Sequence, residues 1–475
     1  MDPRKEVAHA LRDYLARERL SREQFAFRTR LGKSTVDKLM TGLFSDRTLA
    51  IVEAQTGLEL RCRLGSAPPA DAGPTQPHPP SAQPSIAVLP FAFLGDDPAL
   101  AYIGEGLADD LITGLTRLRW LFTVARHSSF LYRDSAIDLR QVARELGVRY
   151  VLDGSVRLAG GRIRIAARLT DADSGQHLWA ERYDGALDDV FAVQDDIAER
   201  VVAAVEPHLY VAEGHRASSR PATGIGSWGL VVRALALLTR MSRTQNEQAQ
   251  ELLRRAISVD PGYARAHAVL AWAQWWSAHC LWYPDSAERQ AHAASLAREA
   301  LSLDPGDPWA RMVSGLCLST AGEHSRALDE LSAALALNPS SALVRMVHGW
   351  ALLRAGEFDH AIVETGRALK LSPTDTFSGF YTSTHGLALL AARRFSEALP
   401  PLRISVAAFA DYSGHFNQLI SCCGHLGLLD EAHEAMARRA TFDPPLRLSM
   451  VRSVLRPFAH MEVFVEGLAK AGVEK

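Results

Sequence analysis

Three patterns of apolar and polar positions follow one another along the chain. Between Ser21 and Gly42 the apolar residues Val36 and Leu39 stand at helical spacing, with Ala26 and Leu31 before them. Residues 65–84, GSAPPADAGPTQPHPPSAQP, then hold seven prolines and almost no apolar side chain, which predicts an extended linker. Beyond it short apolar runs alternate with helical patterns. Ile86–Phe91 and Leu121–Ala125 predict strands; Leu107–Leu118 predicts a helix, and Leu139–Leu146 a second one ended by Gly147. Tyr150–Arg157 and Ile163–Leu169, joined across Gly160-Gly161, predict a hairpin, His177–Tyr183 another strand, and Val190–Leu209 a long closing helix.

From about residue 228 the pattern is helical only, and it repeats. Asp304-Pro305, Asn338-Pro339 and Ser372-Pro373 are spaced by 34 residues. Gly315 and Gly349 share that period, as do Ala327 and Ala361, and Ala334 and Ala368. This period with Gly, Ala, Ala and Pro at fixed offsets resembles the tetratricopeptide signature. Small residues let two antiparallel helices approach, and the proline stops the second. About six units are expected, two of altered length.

The length of 475 residues and an apolar fraction of 47% leave room for several cores, so no disulfide or metal is needed for folding. Five cysteines without framework spacing fit a reducing compartment. The charged start MDPRKEVAHALRDYLARERL has no apolar signal core, and no run long enough for a membrane span occurs. A cytoplasmic protein is expected. Residues 1–64 carry 13 Lys+Arg against 9 Asp+Glu, a net of +4, while the remainder has a net of −6. The basic part is short, and a polyanion partner is expected for it alone.

Ser85–Phe91, Gly104–Ile112, Val142–Ser155 and Leu178–Tyr183 are similar to the TolB amino-terminal-like (FlgO-like) domain. In bacteria this domain is often followed by tetratricopeptide repeats, and the pair commonly stands behind a class III adenylate cyclase domain or a DNA-binding domain. The tail Phe464–Gly472 also resembles the end of such proteins. The resemblance brings no catalytic residue. A class III cyclase domain needs roughly one whole further domain's length, more than residues 1–64 supply, so the chain is expected not to be an enzyme.

GKSTVDKLMTG, residues 32–42, begins like the end of a phosphate-binding loop. That motif needs Gly five positions before Gly32, where Phe27 stands, and a strand ahead of it, where Ser21–Arg28 is helical in pattern. The stretch from Ala26 to Gly42 instead resembles the helix-turn-helix of Cro and phage repressors. Ser21 with Gln24 forms a capping box, Ala26 permits a close helix crossing, Leu31 anchors the turn and Gly42 ends the second helix. In that family the second helix enters the major groove. The resemblance makes Lys33, Ser34, Thr35 and Lys38 the candidate base contacts and Gln24 a phosphate contact. Arg30 where the family has Gly, and Gly32 where it has a capping Ser, depart from the pattern. A basic helical bundle used for protein contact is the competing reading.

Gly224–Gly229 spells G-x-G-x-x-G, but a polar stretch precedes it and Ser227 is expected to cap a helix. Cys422-Cys423-Gly-His425 lacks chelate spacing and is expected to be structural. No catalytic set, metal site or cofactor is expected. Trp309, Met312, Met346, Trp350 and Phe380 fall where repeat helices line a concave face, suited to a protein or peptide, or else pack between repeats. The expected architecture is multidomain: an all-α helix-turn-helix domain (1–64), a linker (65–84), a mixed α/β TolB-N-like domain (85–213), a linker (214–227), an all-α tetratricopeptide superhelix (228–450) and a capping helix (451–475). The expected partners are DNA, a protein or peptide in the repeat groove and a second copy of the chain, but no membrane. The expected role is transcriptional regulation, with a signalling scaffold that never touches DNA as the alternative.

Overall fold

The structure is a computed structural model. It describes the chain apart from residues 1–2, 61–82, 96–99, 101, 133–137, 160, 187–189, 219–225, 241, 374–376, 409–411 and 456–457, and scattered positions between 19 and 59. Arg30, Gly32, Gly42 and nearly all of the proline-rich stretch therefore lie outside the described residues. The chain forms two compact units, residues 1–78 and 79–475.

In the first unit α1 (Pro3–Arg17), α2 (Arg22–Thr29) and α3 (Lys33–Met40) are helices. Their apolar faces meet in a core of Val7, Leu11, Phe25, Val36 and Leu39, completed by Leu49, Val52 and Leu60. Tyr14 and Phe25 meet edge to face with ring centroids 6.4 Å apart.

The second unit opens with β1 (Ser85–Val88), β2 (Ala92–Phe93), α4 (Tyr102–Thr116), β3 (Phe122–Thr123), α5 (Arg126–Ser129) and α6 (Leu139–Leu146). β4 (Tyr150–Ala159), β5 (Arg162–Asp171), β6 (Gln176–Ala186) and α7 (Val190–Ser218) follow. The strands form one mixed sheet of order β3-β1-β4-β5-β6, with β2 added to β4. β1 runs parallel to β3 and β4, pairing Ser85 with Phe122 and Ile86 with Tyr150. β4, β5 and β6 are antiparallel. Burial on both faces explains the unbroken apolar run of β1: Ile86 and Val88 face the core under α4 and α7, and Ala87 packs with Val142 and Ala143 of α6 on the other side. Asp138 caps α6 by accepting from the Arg140 amide, and Gly147 ends it with φ 66°.

Helix α7 runs to Ser218, so the linker expected at 214–227 begins later than read. Tertiary contacts hold the extension. Glu213 accepts from Arg149 Nη1 at 2.9 Å and from the Tyr150 hydroxyl at 2.5 Å. Arg216 reaches Asp171 at 2.9 Å and Asp173 at 3.1 Å. Gly214 lets the next helix approach so closely that a Cβ there would lie 2.9 Å from Ala236.

The repeats are α8 (Ser227–Leu238), α9 (Arg243–Val259), α10 (Ala264–His279), α11 (Ser286–Leu303), α12 (Pro308–Thr320) and α13 (His324–Leu337). They continue as α14 (Ala342–Ala355), α15 (Phe358–Leu371), α16 (Ser378–Ala391), α17 (Phe395–Ala408), α18 (Ser413–Leu426) and α19 (Leu429–Arg439). Successive helices pack as hairpins. The expected small residues do close the hairpins: a Cβ on Gly315, Gly349 or Gly386 would stand 2.6, 2.5 or 2.7 Å from Leu331, Thr365 or Leu402. Asp304, Asn338 and Ser372, each preceding a proline, are the C-caps of α11, α13 and α15. Two helices, α20 (Leu448–Leu455) and α21 (Met461–Lys470), stand where one capping helix was expected. α21 crosses α18 glycine on glycine, with a Cβ on Gly424 placed 2.0 Å from the Gly467 carbonyl oxygen.

Candidate functional site

The start of α2 is fixed by a reciprocal pair of bonds. The Ser21 amide donates to Gln24 Oε1 at 2.9 Å, and the Gln24 amide donates to Ser21 Oγ at 3.1 Å. Gln24 is exposed, but its side-chain oxygen is engaged in this cap. Arg22 of α2 and Asp37 of α3 pair at 3.3 Å, and the Leu31 amide between the helices donates to the Ala26 carbonyl at 3.0 Å. With Ala26, Val36, Leu39 and Met40 buried, Thr35 is half-buried and Lys38 exposed. Lys33 and Ser34 form the first turn of α3; their side chains lie outside the described residues. Thr35, Lys38 and this first turn belong to one short helix, and Gln24 stands at the start of the helix before it.

The five residues expected along the concave face of the repeats are buried, between 0 and 6% exposed. A helix the sequence reading did not single out packs against Trp309 and Phe380. Trp272, Trp275 and Trp276 of α10 are at most 2% exposed. Trp272 meets Trp309 and Phe380 edge to face, with centroids 6.2 Å apart in both pairs. Trp276 meets Phe380 at 5.7 Å, and Phe380 meets Trp350 at 6.1 Å. Met312 and Met346 are fully buried. The run Ala271-Trp-Ala-Gln-Trp-Trp276 was the signal that could have shown this packing.

Cys422 and His425 are structural: Cys422 Sγ donates to the Phe395 carbonyl at 3.3 Å, and His425 stacks on the Phe395 ring at 4.0 Å. Ser227 is the first helical residue rather than the cap, and its hydroxyl donates to the Ala256 carbonyl at 3.0 Å.

Sequence reasoning also missed the contacts between α7 and the repeats. Arg311 donates to Glu330 at 2.8 Å, and 34 residues on Arg345 donates to Glu364 at 3.0 Å. Each arginine also donates to a proline carbonyl, of Pro305 or Pro339. Arg345 further reaches Glu199 of α7 at 3.3 Å, and Arg367 reaches the same carboxylate at 2.6 Å. The period was legible in both arginines and both glutamates, but not the partner on α7.

Near these contacts lies a cleft of about 610 Å³ lined by Trp120, Glu206, Trp228, Arg265, Asp307 and Asn338 among others. Arg265 and Asp307, both buried, form a two-pronged pair at 2.7 and 2.9 Å, and Arg265 also donates to the Tyr210 hydroxyl at 2.9 Å. Burial raises the pKa of Glu206, which accepts from Asn338 Nδ2 at 3.2 Å and from the Tyr210 hydroxyl at 3.2 Å. Trp120 stacks between Tyr210 at 4.6 Å and Trp228 at 5.2 Å. The aromatic layer and the paired charges join the sheet domain to the first repeats.

Residues 81–200 match the family described as HilA/YgeH-like transcriptional regulator, second domain, and residues 315–376 match the tetratricopeptide repeat. The chain is 40% identical over 249 residues to "Putative adenylate cyclase 3" of Rhizobium meliloti (strain 1021), covering 52% of this chain and 42% of that protein. The chain thus spans about two-fifths of that relative. The human IFIT1 dimer with PPP-AAAA is similar at 17% identity and a TM-score of 0.40, over 48% of this chain and 53% of that one. TolB from Acinetobacter baumannii is similar at 17% identity and a TM-score of 0.20, over 27% of this chain and 29% of that one. The chain carries a regulator-type domain followed by tetratricopeptide repeats. Among the described residues no helix is long and apolar enough to cross a membrane.

Proposed function

We propose that the chain is a cytoplasmic, non-enzymatic transcriptional regulator that binds DNA through a helix-turn-helix made by α2 and α3. The observation that carries this reading is the burial of Ala26, Val36 and Leu39 in one core, which leaves Lys38 exposed on a helix that begins Lys33-Ser34-Thr35. In the reading, α3 enters the major groove, with Lys33, Ser34, Thr35 and Lys38 toward the bases and Gln24 toward a phosphate. The match of residues 81–200 to a domain of transcriptional regulators supports it, as does the net charge of +4 on residues 1–64. The sheet domain is read as TolB-like in fold, and the repeats as a platform for a protein or peptide partner. Two copies of the chain would place two weak DNA-binding units on paired half-sites.

A second reading, a scaffold that never touches DNA, is favoured by the relative named as an adenylate cyclase, whose likeness covers 52% of this chain. A titration of the full chain against fragments of its own locus, at several salt concentrations, separates the two. DNA binding weakens steeply with salt, and a scaffold gives no binding at any salt.

A further inference from the structure

Four arginines are buried among the described residues of the repeats: Arg265, Arg345, Arg354 and Arg439. Arg265 has Asp307, and Arg345 has Glu199 and Glu364. Arg439 donates to Asn417 Oδ1 at 2.9 Å and to the carbonyls of Phe442 and Pro444 at 3.0 and 2.8 Å. Arg354 stands apart. Its Nη1 donates to Thr320 Oγ1 at 2.8 Å, its Nε has no partner, and its guanidinium carbon lies over the rings of Phe458 and Trp350, 3.8 and 4.9 Å from their centroids. Burial pulls its pKa down to about 9, with no carboxylate acting on it.

Arg354 lines a cavity of about 250 Å³ inside the repeat array, closed on one side by α20. Arg439 lines it too, and among the described residues no Asp or Glu does. His279 and His460, also in its wall, are held neutral by burial and by Arg354, which push both down to about 3. His460 Nδ1 is buried without a partner. Leu387, Val451 and Phe464 give the wall an apolar stretch, and Gln290, Thr320, Asn417 and Gln418 a polar, uncharged one. Ser453 and Val454 at the rim are exposed.

A buried cation without a counter-charge is among the costliest features a core can hold. An anion in the cavity removes that cost. We infer that this cavity is a binding site for a small organic monocarboxylate, its carboxylate on Arg354 and its apolar body against Leu387, Val451 and Phe464. The planar fork of the Arg354 guanidinium matches one carboxylate, while Arg439 already donates to Asn417 and two backbone carbonyls. The volume equals about eight water molecules' share of liquid, the size of a single-ring or branched-chain acid.

The test is thermal melting of the full chain with sodium benzoate against matched sodium chloride, for wild type and Arg354→Met. The inference expects a saturable rise in Tm for wild type with benzoate and none with chloride. Arg354→Met should abolish that rise and melt no lower than wild type without benzoate, because it removes an uncompensated charge. Absence of a saturable rise in wild type overturns the inference. So does an Arg354→Met protein that melts lower than wild type yet keeps the rise. A larger rise with inorganic phosphate than with benzoate overturns the carboxylate assignment. Should Arg354→Met fail to fold, Val454→Trp at the exposed rim takes its place: it is expected to weaken the benzoate response at least about tenfold, and an unchanged response counts against the site.

Discussion

Arg345 Nη2 lies 3.3 Å from Glu199 Oε1, which ties the repeat array to the long helix of the regulator-type domain. Its counterpart one repeat earlier, Arg311, pairs with Glu330 within the repeat and donates to the Pro305 carbonyl, and both side chains of that pair are 25% exposed. The same arginine at the same repeat position thus has two energetic settings.

Glu199→Ala leaves Arg345 with Glu364 and frees Arg367, so it should cost about 1–3 kcal/mol, the range for losing one partner of a buried charged bond. Glu330→Ala, at the more exposed pair, should cost no more than about 1 kcal/mol. Urea unfolding of the two variants checks the difference. Equal costs would show that Glu199 adds nothing to the joint.

Gly424 meets the Gly467 carbonyl where α18 and α21 cross, and both contacting atoms are backbone. Gly424→Ala gains about 1 kcal/mol of helix propensity but forces the helices apart. The net result should be a loss of about 1–3 kcal/mol, with faster amide exchange confined to α21. Gly427→Ala meets no neighbour but has φ 73°. It should cost about 1 kcal/mol through backbone strain alone.

The repeats should be acid-sensitive. His279 faces Arg354, His415 and Tyr412, and His460 faces Arg354; both have pKa values near 3 against 6.5 in the unfolded chain. Between these values the unfolded state binds protons that the folded state does not. The stability contributed is complete above pH 6.5 and is lost as pH falls toward 3. The slope should be about 1.4 kcal/mol per pH unit for each histidine. Denaturant midpoints between pH 7 and 5 check this, and His460→Gln should flatten the slope by one histidine's share.

Gln24 can serve the α2 cap and DNA at once only in part, because Oε1 is held by the Ser21 amide. Gln24→Glu keeps the capping box and improves its charge at a helix N-terminus. It should leave Tm unchanged or higher while lowering DNA affinity by placing an anion against a phosphate. Ser21→Ala should instead cost about 0.5–2 kcal/mol of stability. Melting and binding measured on the same samples distinguish the two effects.

Local signals were legible where one stretch of chain decides the structure. Helix α6 spans Leu139–Leu146 and ends at Gly147 as expected, the glycines and alanines spaced by 34 close the repeat hairpins, and Ser21 with Gln24 caps α2. What was missed is set by neighbours far along the chain. The helix expected over Val190–Leu209 runs on to Ser218, because Glu213 and Arg216 have partners on the sheet. Trp309, Trp350 and Phe380 read equally as groove or core until the tryptophans of α10 are seen packed against Trp309 and Phe380, and His279 of the same helix against Trp350. The isolation of Arg354 depends on which residues fail to meet it, and no spacing records that.

The central claim concerns α3, and binding of the full chain to DNA from its own locus tests it most directly. Fluorescence anisotropy should give specific binding whose log–log salt slope is about −0.9 for each phosphate neutralised. Lys33→Glu and Lys38→Glu should each cost at least about tenfold with Tm unchanged. Absence of binding to any fragment at low salt, or Lys33→Glu binding as wild type does, would contradict the account and leave the scaffold reading in its place.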